Sequence, residues 1–288
     1  MTPSSSSAKD GLRIRTLHPD EVPLAVDWAA AEGWNPGLAD AVCFTTVDRE
    51  GFLVGELEGE PAAVISCINY NDSFAFLGFY IVRAELRGRG YGLRIWQQAI
   101  AHAGARVIGL DGVVAQQANY KKSGFALAYA NIRYGGTVAA MNAPKAGVVA
   151  LSDIPFAMVE ASDATVFPAP RADFLRAWIV SPGHIGRAML RDGQLAAWGV
   201  IRPCRQGWKV GPLVGENRAA AEAVLSSLLA AVGENEIFLD VPSVNPEAIA
   251  LAQSLGLSPV FETARMYTGA IPPLRTGRVF GVTTFELG

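Results

Sequence analysis

"ELRGRGYGLRIW", Glu85–Trp96, sets arginines among three glycines directly ahead of a helix-like apolar pattern. Glycine lifts the Cβ restriction, so successive backbone N–H groups can turn toward one point. A helix starting near Tyr91 adds its unsatisfied N–H groups and positive dipole end at the same place. Nearby arginines add charge-assisted hydrogen bonds. The stretch therefore reads as a cradle for a phosphate or pyrophosphate, with a glycine-rich turn carrying solvent-exposed arginines as the plain alternative. It is not a Walker loop, which would end Gly-Lys-Ser/Thr. Nor is it a dinucleotide fingerprint, because Leu93 stands where the third glycine belongs and Ala84-Glu85-Leu86 separates the preceding strand from the glycines.

Working outward, the elements around this loop occur twice. Phe52–Ser66 reads as two strands about Glu58-Gly59-Glu60, and Ala188–Ile201 does the same about Asp192-Gly193, a hairpin signal. Leu93, Trp96 and Ile100 have helical spacing and match Leu225, Leu228 and Val232 at an offset of 132. The buried-strand patterns Val107–Val113 and Glu236–Pro242 each carry a Leu-Asp pair. Gly124 and Gly256 differ by 132, Tyr134 and Tyr267 by 133, and the two hairpin glycines Gly59 and Gly193 by 134. A nearly constant offset over four elements predicts two copies of one α/β unit. The expected division is a tail at 1–11, a first domain at 12–138, a connector at 139–170 and a second domain at 171–288.

The 288 residues are half hydrophobic and 18% charged, ample for two modest cores. The net charge of -3 provides no basic field for nucleic acid. No apolar run reaches the roughly 20 residues a membrane helix needs, and the polar start is not a secretory signal. Three dispersed cysteines argue against a disulfide framework. No metal partner is expected, because the three histidines lack ligand spacing. These features predict a cytoplasmic protein with neither nucleic acid nor membrane as partner. Arg83, Arg87, Arg89 and Arg94 form the one tight basic cluster, suited to a small anionic ligand.

"VRAELRGRGYG", Val82–Gly92, resembles the acetyl-CoA signature of the GNAT superfamily of N-acetyltransferases through Val82, Arg87, Gly90 and Gly92, with Ala84 where proline is usual. "NYKKSGF", Asn119–Phe125, is similar to a second family signature through Tyr120, Gly124 and Phe125. The whole chain resembles a tandem subgroup whose second GNAT-like domain is divergent. The fold class this implies is α/β, two tandem domains each built on a mixed β-sheet flanked by helices. The donor implied is acetyl-CoA. Backbone N–H groups of Gly88, Arg89, Gly90, Tyr91, Gly92 and Leu93 would hold its pyrophosphate, with Arg87 beside them. Tyr80 and Val82 would bond the pantetheine arm like a neighbouring strand, in a gap opening toward Leu110 and Asp111.

Acetyl transfer to an amine needs a neutral nucleophile and a proton for the departing thiolate. Tyr120 holds the family's donor position, as general acid. Asp111 is a candidate base, although Asp240 stands at the matching place in the second copy, which favours a structural role for both. In the family the helical region ahead of the first hairpin helps wall the acceptor site. There Glu32, Trp34 and Asn35 are substrate-side candidates, with Asp48 a further carboxylate; core packing for Trp34 and turn formation for Asn35 are the plain alternatives. The acceptor would be a small-molecule or peptide amine. The chain departs from the family in carrying Val113 where many relatives have a cofactor-contacting asparagine, and Asn119 is a weak substitute. In the second copy Ala252 replaces the tyrosine, and Ala219, Glu222 and Val224 replace the cradle's arginine and glycines, so that copy is expected to be silent. A non-catalytic acyl-CoA binder is the alternative from another class.

Overall fold

The computed structural model describes residues 11–140 and 147–288, so all but one residue of the expected tail and residues 141–146 of the expected connector lie outside the described residues. The first copy runs β1 (Arg13–Thr16), α1 (Val22–Ala31), α2 (Asp40–Phe44), β2 (Phe52–Leu57), β3 (Glu60–Asn69), β4 (Phe74–Val82), α3 (Tyr91–Ala103), β5 (Val107–Val113), α4 (Gln117–Lys122) and β6 (Ala126–Val138). The second runs β7 (Val148–Ala150), α5 (Phe156–Asp163), α6 (Ala172–Val180), β8 (Ile185–Arg191), β9 (Gln194–Pro203), β10 (Trp208–Gly215), α7 (Arg218–Val232), β11 (Asn235–Pro242), α8 (Pro246–Ser254) and β12 (Ser258–Tyr267), with β13 (Val279–Gly281) added. The repeat therefore holds element for element. Its second member starts earlier than expected: β7 pairs with β8 as β1 pairs with β2, which puts β7 and α5 inside the stretch read as connector. Both hairpins turn as their sequences predict, on paired left-handed residues, Glu58-Gly59 and Asp192-Gly193.

The two central sheets are one. Strand order is β1-β2-β3-β4-β5-β12-β6-β11-β10-β9-β8-β7, with β13 beside β10. The last strand of each copy has left home: β12 lies against β5 of the first copy and β6 against β11 of the second, both antiparallel. The exchanged strands carry core residues with them. Ala264 and Met266 of β12 are buried under α3 with Ile95, Trp96 and Ala99, while Tyr134 and Val138 of β6 are buried with Val224 and Leu228 of α7. On the opposite face, α1, α2, α5 and α6 from both copies close over a common core. The alternation along β2 and β3 divides the two sides: Leu53, Ala63 and Ile65 face α3, whereas Phe52, Val54 and Val64 face the shared layer. Among the described residues no helix is long and apolar enough to cross a membrane.

Each exchanged strand is tied by one arginine. Arg133 on β6 sits directly across from Asp240 on β11 and donates to both its carboxylate oxygens at 2.6 and 2.8 Å. Arg265 on β12 sits across from Asp111 on β5 and donates to both oxygens at 2.8 and 2.6 Å. Burial opposes the charged form of Asp240, but Arg133's charge and hydrogen bonds outweigh it and hold this carboxyl below the usual carboxylate range. The same attraction from Asp111 overcomes desolvation and drives the Arg265 guanidinium's pKa upward. A third buried pair, Asp40–Arg202, joins α2 to β9. Arg133→Ala leaves the Asp240 carboxylate buried and uncompensated. It is expected to lower stability by about 3–5 kcal/mol, read as a reduced urea midpoint with an unchanged denaturant slope.

Candidate functional site

Strands β4 and β5 run parallel from Phe74↔Val107 to Leu77↔Leu110 and then part. The cause lies in β4 itself. Its pairing with β3 shifts register between Val64 and Ser66, and the buried Phe79 takes the left-handed conformation at φ +51°. A bulge bends the strand and re-aims the residues beyond it. From Gly78 onward the β5-facing edge of β4 has no ladder partner, and a cleft of about 430 Å³ opens there. Tyr80, Ile81 and Val82 line one side; Leu110, Asp111 and Gly112 line the other.

Arg87, Gly88, Gly90, Gly92 and Leu93 form the cleft's mouth. Gly88 and Gly90 are both left-handed, at φ +76° and +88°, and Gly90 caps α3 without a side-chain hydrogen bond. The first helical bond is Arg94 N–H to the Gly90 carbonyl; among the described residues the N–H groups of 88–93 donate to no backbone carbonyl. A Cβ on Gly92 would lie 2.6 Å from Tyr80 Oη, so glycine is what lets α3 start this close to β4. These donors therefore stand open at the mouth of the cleft, beside the edge that β4 leaves unpaired. That edge and those donors fit an elongated phosphate-bearing ligand. Residues 87–90 are exposed, but Arg89 and Tyr91 are not on the cleft wall. Arg87 donates to the Val82 carbonyl at 2.9 Å and pairs with Glu32 across the mouth. The helix face also differs from its expected register: α3 buries Ile95, Trp96, Ala99 and Ala103, while Leu93 stays 59% exposed. Its first turn overhangs the opening instead of lying on the sheet.

Tyr120 reaches the cleft from α4 and is buried. Its ring stacks on Trp96 at 5.6 Å, and Trp96 in turn packs on Tyr80 at 5.2 Å. Burial, assisted by Tyr80, pushes the Tyr120 phenol up to about 12. Gly112 makes this position possible, since a Cβ there would meet the Tyr120 ring at 2.2 Å.

The other expected residues divide. Trp34 and Glu32 line the cleft. Asn35 does not: its side chain bonds the backbone of Gln206 in both directions and ties the copies together. Asp48 is likewise occupied, by His102 Nε2 at 2.7 Å and by the N–H groups of Glu50 and Asn69. Asp111 is corrected as a base. Arg265 holds both its oxygens, Asn131 donates to one at 2.8 Å, and its side chain is fully buried. A carboxylate so engaged has little capacity for a further proton acceptor's role. Asn119 is exposed and bonds Gln116, which itself faces the cleft.

The sequence reading missed a whole wall. Thr263 and Phe261 of β12, with Phe285 and Glu286 beyond β13, complete the cleft from the second copy. The matching cleft in the second copy is shut. There β10 and β11 part after Val210↔Leu239, but β13 pairs with β10 at Leu213 and Val214 and fills the gap. The start of α7 is also closed, because the Asn217 side chain accepts from Ala220 N–H at 3.0 Å. Thus one open donor cradle faces one open edge.

Comparison with known proteins finds a family match in each copy. Residues 15–125 match the Acetyltransferase (GNAT) family model, and residues 159–281 match a second model, Acetyltransferase (GNAT) domain. A holothin acyltransferase of Pseudoalteromonas sp. (strain SANK 73390) is 34% identical over 271 residues, covering 93% of this chain and 92% of the relative. In structure, a Pyrococcus horikoshii chain assigned to the acetyltransferases superposes with a TM-score of 0.84 at 23% identity over 99% of both chains. A tandem GNAT protein from the clavulanic acid biosynthesis pathway superposes at 0.60 with 16% identity, over 90% of this chain and 99% of that one. Gly112→Ala is expected to force the Tyr120 ring off β5 and to cost about 1–3 kcal/mol, seen as a lowered thermal midpoint and altered tyrosine near-ultraviolet dichroism.

Proposed function

The chain belongs to the GNAT family of acyltransferases, and we propose that within it this protein is an acetyl-CoA-dependent N-acetyltransferase whose first copy carries the chemistry. The observation that supports this most is the meeting, in one cleft, of an open N–H cradle at α3, an unpaired strand edge on β4 and a buried phenol. Backbone N–H groups of residues 88–93 would hold the pyrophosphate, helped by the dipole of α3. Tyr80 and Val82 would hydrogen-bond the pantetheine arm, which would continue the sheet as β13 continues it in the second copy. Arg87, now bonded to the Val82 carbonyl and to Glu32, is placed to turn toward a phosphate. The donor supplies a thioester carbonyl to a primary amine and leaves as a thiol.

Tyr120 is the proposed proton donor to the departing sulfur. A phenol held at about 12 keeps its proton throughout the neutral range, so the acid form is the one present when the C–S bond breaks. Trp34 and Glu32 stand on the side where an acceptor would enter. Holothin, the compound named for the similar Pseudoalteromonas enzyme, is the first acceptor to test.

Two measurements test this reading. Calorimetric titration with acetyl-CoA should show one saturable site, lost in Gly90→Glu, which puts a carboxylate at the left-handed cap of α3. Two sites would mean that the second copy also binds. Tyr120→Phe should retain acetyl-CoA binding and lower kcat by on the order of 10²- to 10⁴-fold, with thiol release as the assay; an unchanged kcat would remove Tyr120 from the chemistry.

A further inference from the structure

Three carboxylates line the cleft, and two are committed. Glu32 is paired with Arg87, and Asp111 with Arg265 and Asn131. The third, Glu286, comes from the far end of the second copy. It is 3% exposed, and among the described residues no side-chain hydrogen bond or ion pair engages its carboxylate, although the charges of Lys209, Arg133, Arg202 and Asp40 act on it. Burial makes such an acid costly to ionise, and a carboxylate held by no hydrogen bond calls for an explanation.

The route that brings it there is specific. After β13 fills the second copy's gap, the Val282 N–H bonds the Asp240 carbonyl at 2.8 Å, and the chain crosses to the first copy. The Glu286 carbonyl packs directly on Gly78, where a Cβ would come within 2.1 Å of it. Gly78 is the first residue of β4 beyond its ladder with β5. The segment is fixed on both sides: Phe285 lies under the Arg133 guanidinium at 4.9 Å, Tyr70 Oη donates to the Leu287 carbonyl at 2.8 Å, and Arg171 donates to the Gly288 carbonyl at 2.9 Å.

We propose that Glu286, delivered by the otherwise silent second copy, is the group that takes the proton from the acceptor amine. The inference rests on the reading of this cleft as an acyl-transfer site. As the amine nitrogen bonds to the thioester carbonyl carbon, its proton passes to the Glu286 carboxylate. The C–S bond breaks, and the sulfur takes a proton from Tyr120. Glu286 then releases its proton to water and the phenolate regains one, so the products are an amide and a free thiol. An acceptor arriving as an ammonium ion first loses its extra proton to solvent.

The surroundings set the working range. Burial raises the Glu286 pKa and Asp40 on α2 adds to this, while Lys209 on β10, Arg133 on β6 and Arg202 on β9 oppose it. Asp40 is neutralised by Arg202 and Asp240 by Arg133. Among the described residues Lys209 itself donates to the Asn35 carbonyl alone, at 2.7 Å. Glu32, Arg87, Asp111, Tyr80 and Tyr120 complete the charged and titratable groups facing the cleft. A raised carboxyl pKa means that the base form is lost as pH falls, earlier than for an ordinary glutamate at about 4.3.

The test uses the full chain, acetyl-CoA and holothin, comparing wild type with Glu286→Gln and Glu286→Asp. Glu286→Gln should bind acetyl-CoA as wild type does and lose on the order of 10²- to 10⁴-fold in kcat. Wild type should show an acidic limb in kcat against pH that is absent from Glu286→Gln, with Glu286→Asp recovering part of the rate and the limb. Wild-type rate and limb in Glu286→Gln would overturn the proposal while leaving the acyl-transfer reading standing. Should Glu286→Gln fail to bind acetyl-CoA, the pH profile of Glu286→Asp decides, and a limb unmoved from wild type counts against a proton-accepting role. Absence of acetyl-CoA binding by the wild type would overturn the acyl-transfer reading and, with it, this inference.

Discussion

The structure depends on a reciprocal pair of arginine–aspartate contacts. Arg133 and Arg265 occupy equivalent places in the two exchanged strands, and each grips the aspartate near the end of the other copy's buried strand. Guanidinium and carboxylate meet as two parallel hydrogen bonds, so the contact fixes register as well as attraction. A strand slipped by one residue would turn its arginine to the opposite face and leave an aspartate buried alone. The desolvation of four charged groups is offset by these paired bonds, and the consequence is geometric: neither half of the chain has a complete sheet without the other.

This exchange makes the second copy, which lacks the glycine-rich loop and the tyrosine, part of the first copy's cleft. The second copy supplies β12 as the neighbour of β5, and with it Thr263 and Phe261 on the wall of the cleft. It then supplies the segment that carries Phe285 and Glu286 across. Its own cleft is closed by β13, and its own helix start is capped by Asn217. The bulge in β4 does the complementary work in the first copy. By parting β4 from β5 after Leu77, it leaves the edge of β4 from Gly78 onward without a ladder partner, and the strained Phe79 is the local cost.

Much of this was legible from local pattern. Apolar spacing, hairpin glycines and the constant offset revealed the two copies because each feature acts within a few residues of itself. The cradle was legible for the same reason, since glycine's freedom at 88 and 90 and the helix start at Tyr91 are properties of consecutive residues. Asp111 shows where such reading stops. Its sequence environment, a buried strand end, fits a base or an anchor equally, and the choice depends on Arg265, 154 residues away. Asn35 and Asp48 likewise found partners remote in sequence, Gln206 and His102.

The sequence by itself determined the repeated unit, the glycine-rich loop ahead of a helix, the tyrosine of the second motif and the absence of both in the second copy. Each is a matter of backbone freedom, helix dipole and residue type over short spans. Only the tertiary structure decided which strand lies beside which, where the second repeat begins, which cleft is open and which carboxylates the arginines hold. Strand exchange joins residues more than a hundred positions apart through pairings whose hydrogen bonds are the same for any sequence. What selects among those pairings is the burial and charge matching of side chains that meet only once the sheet has formed.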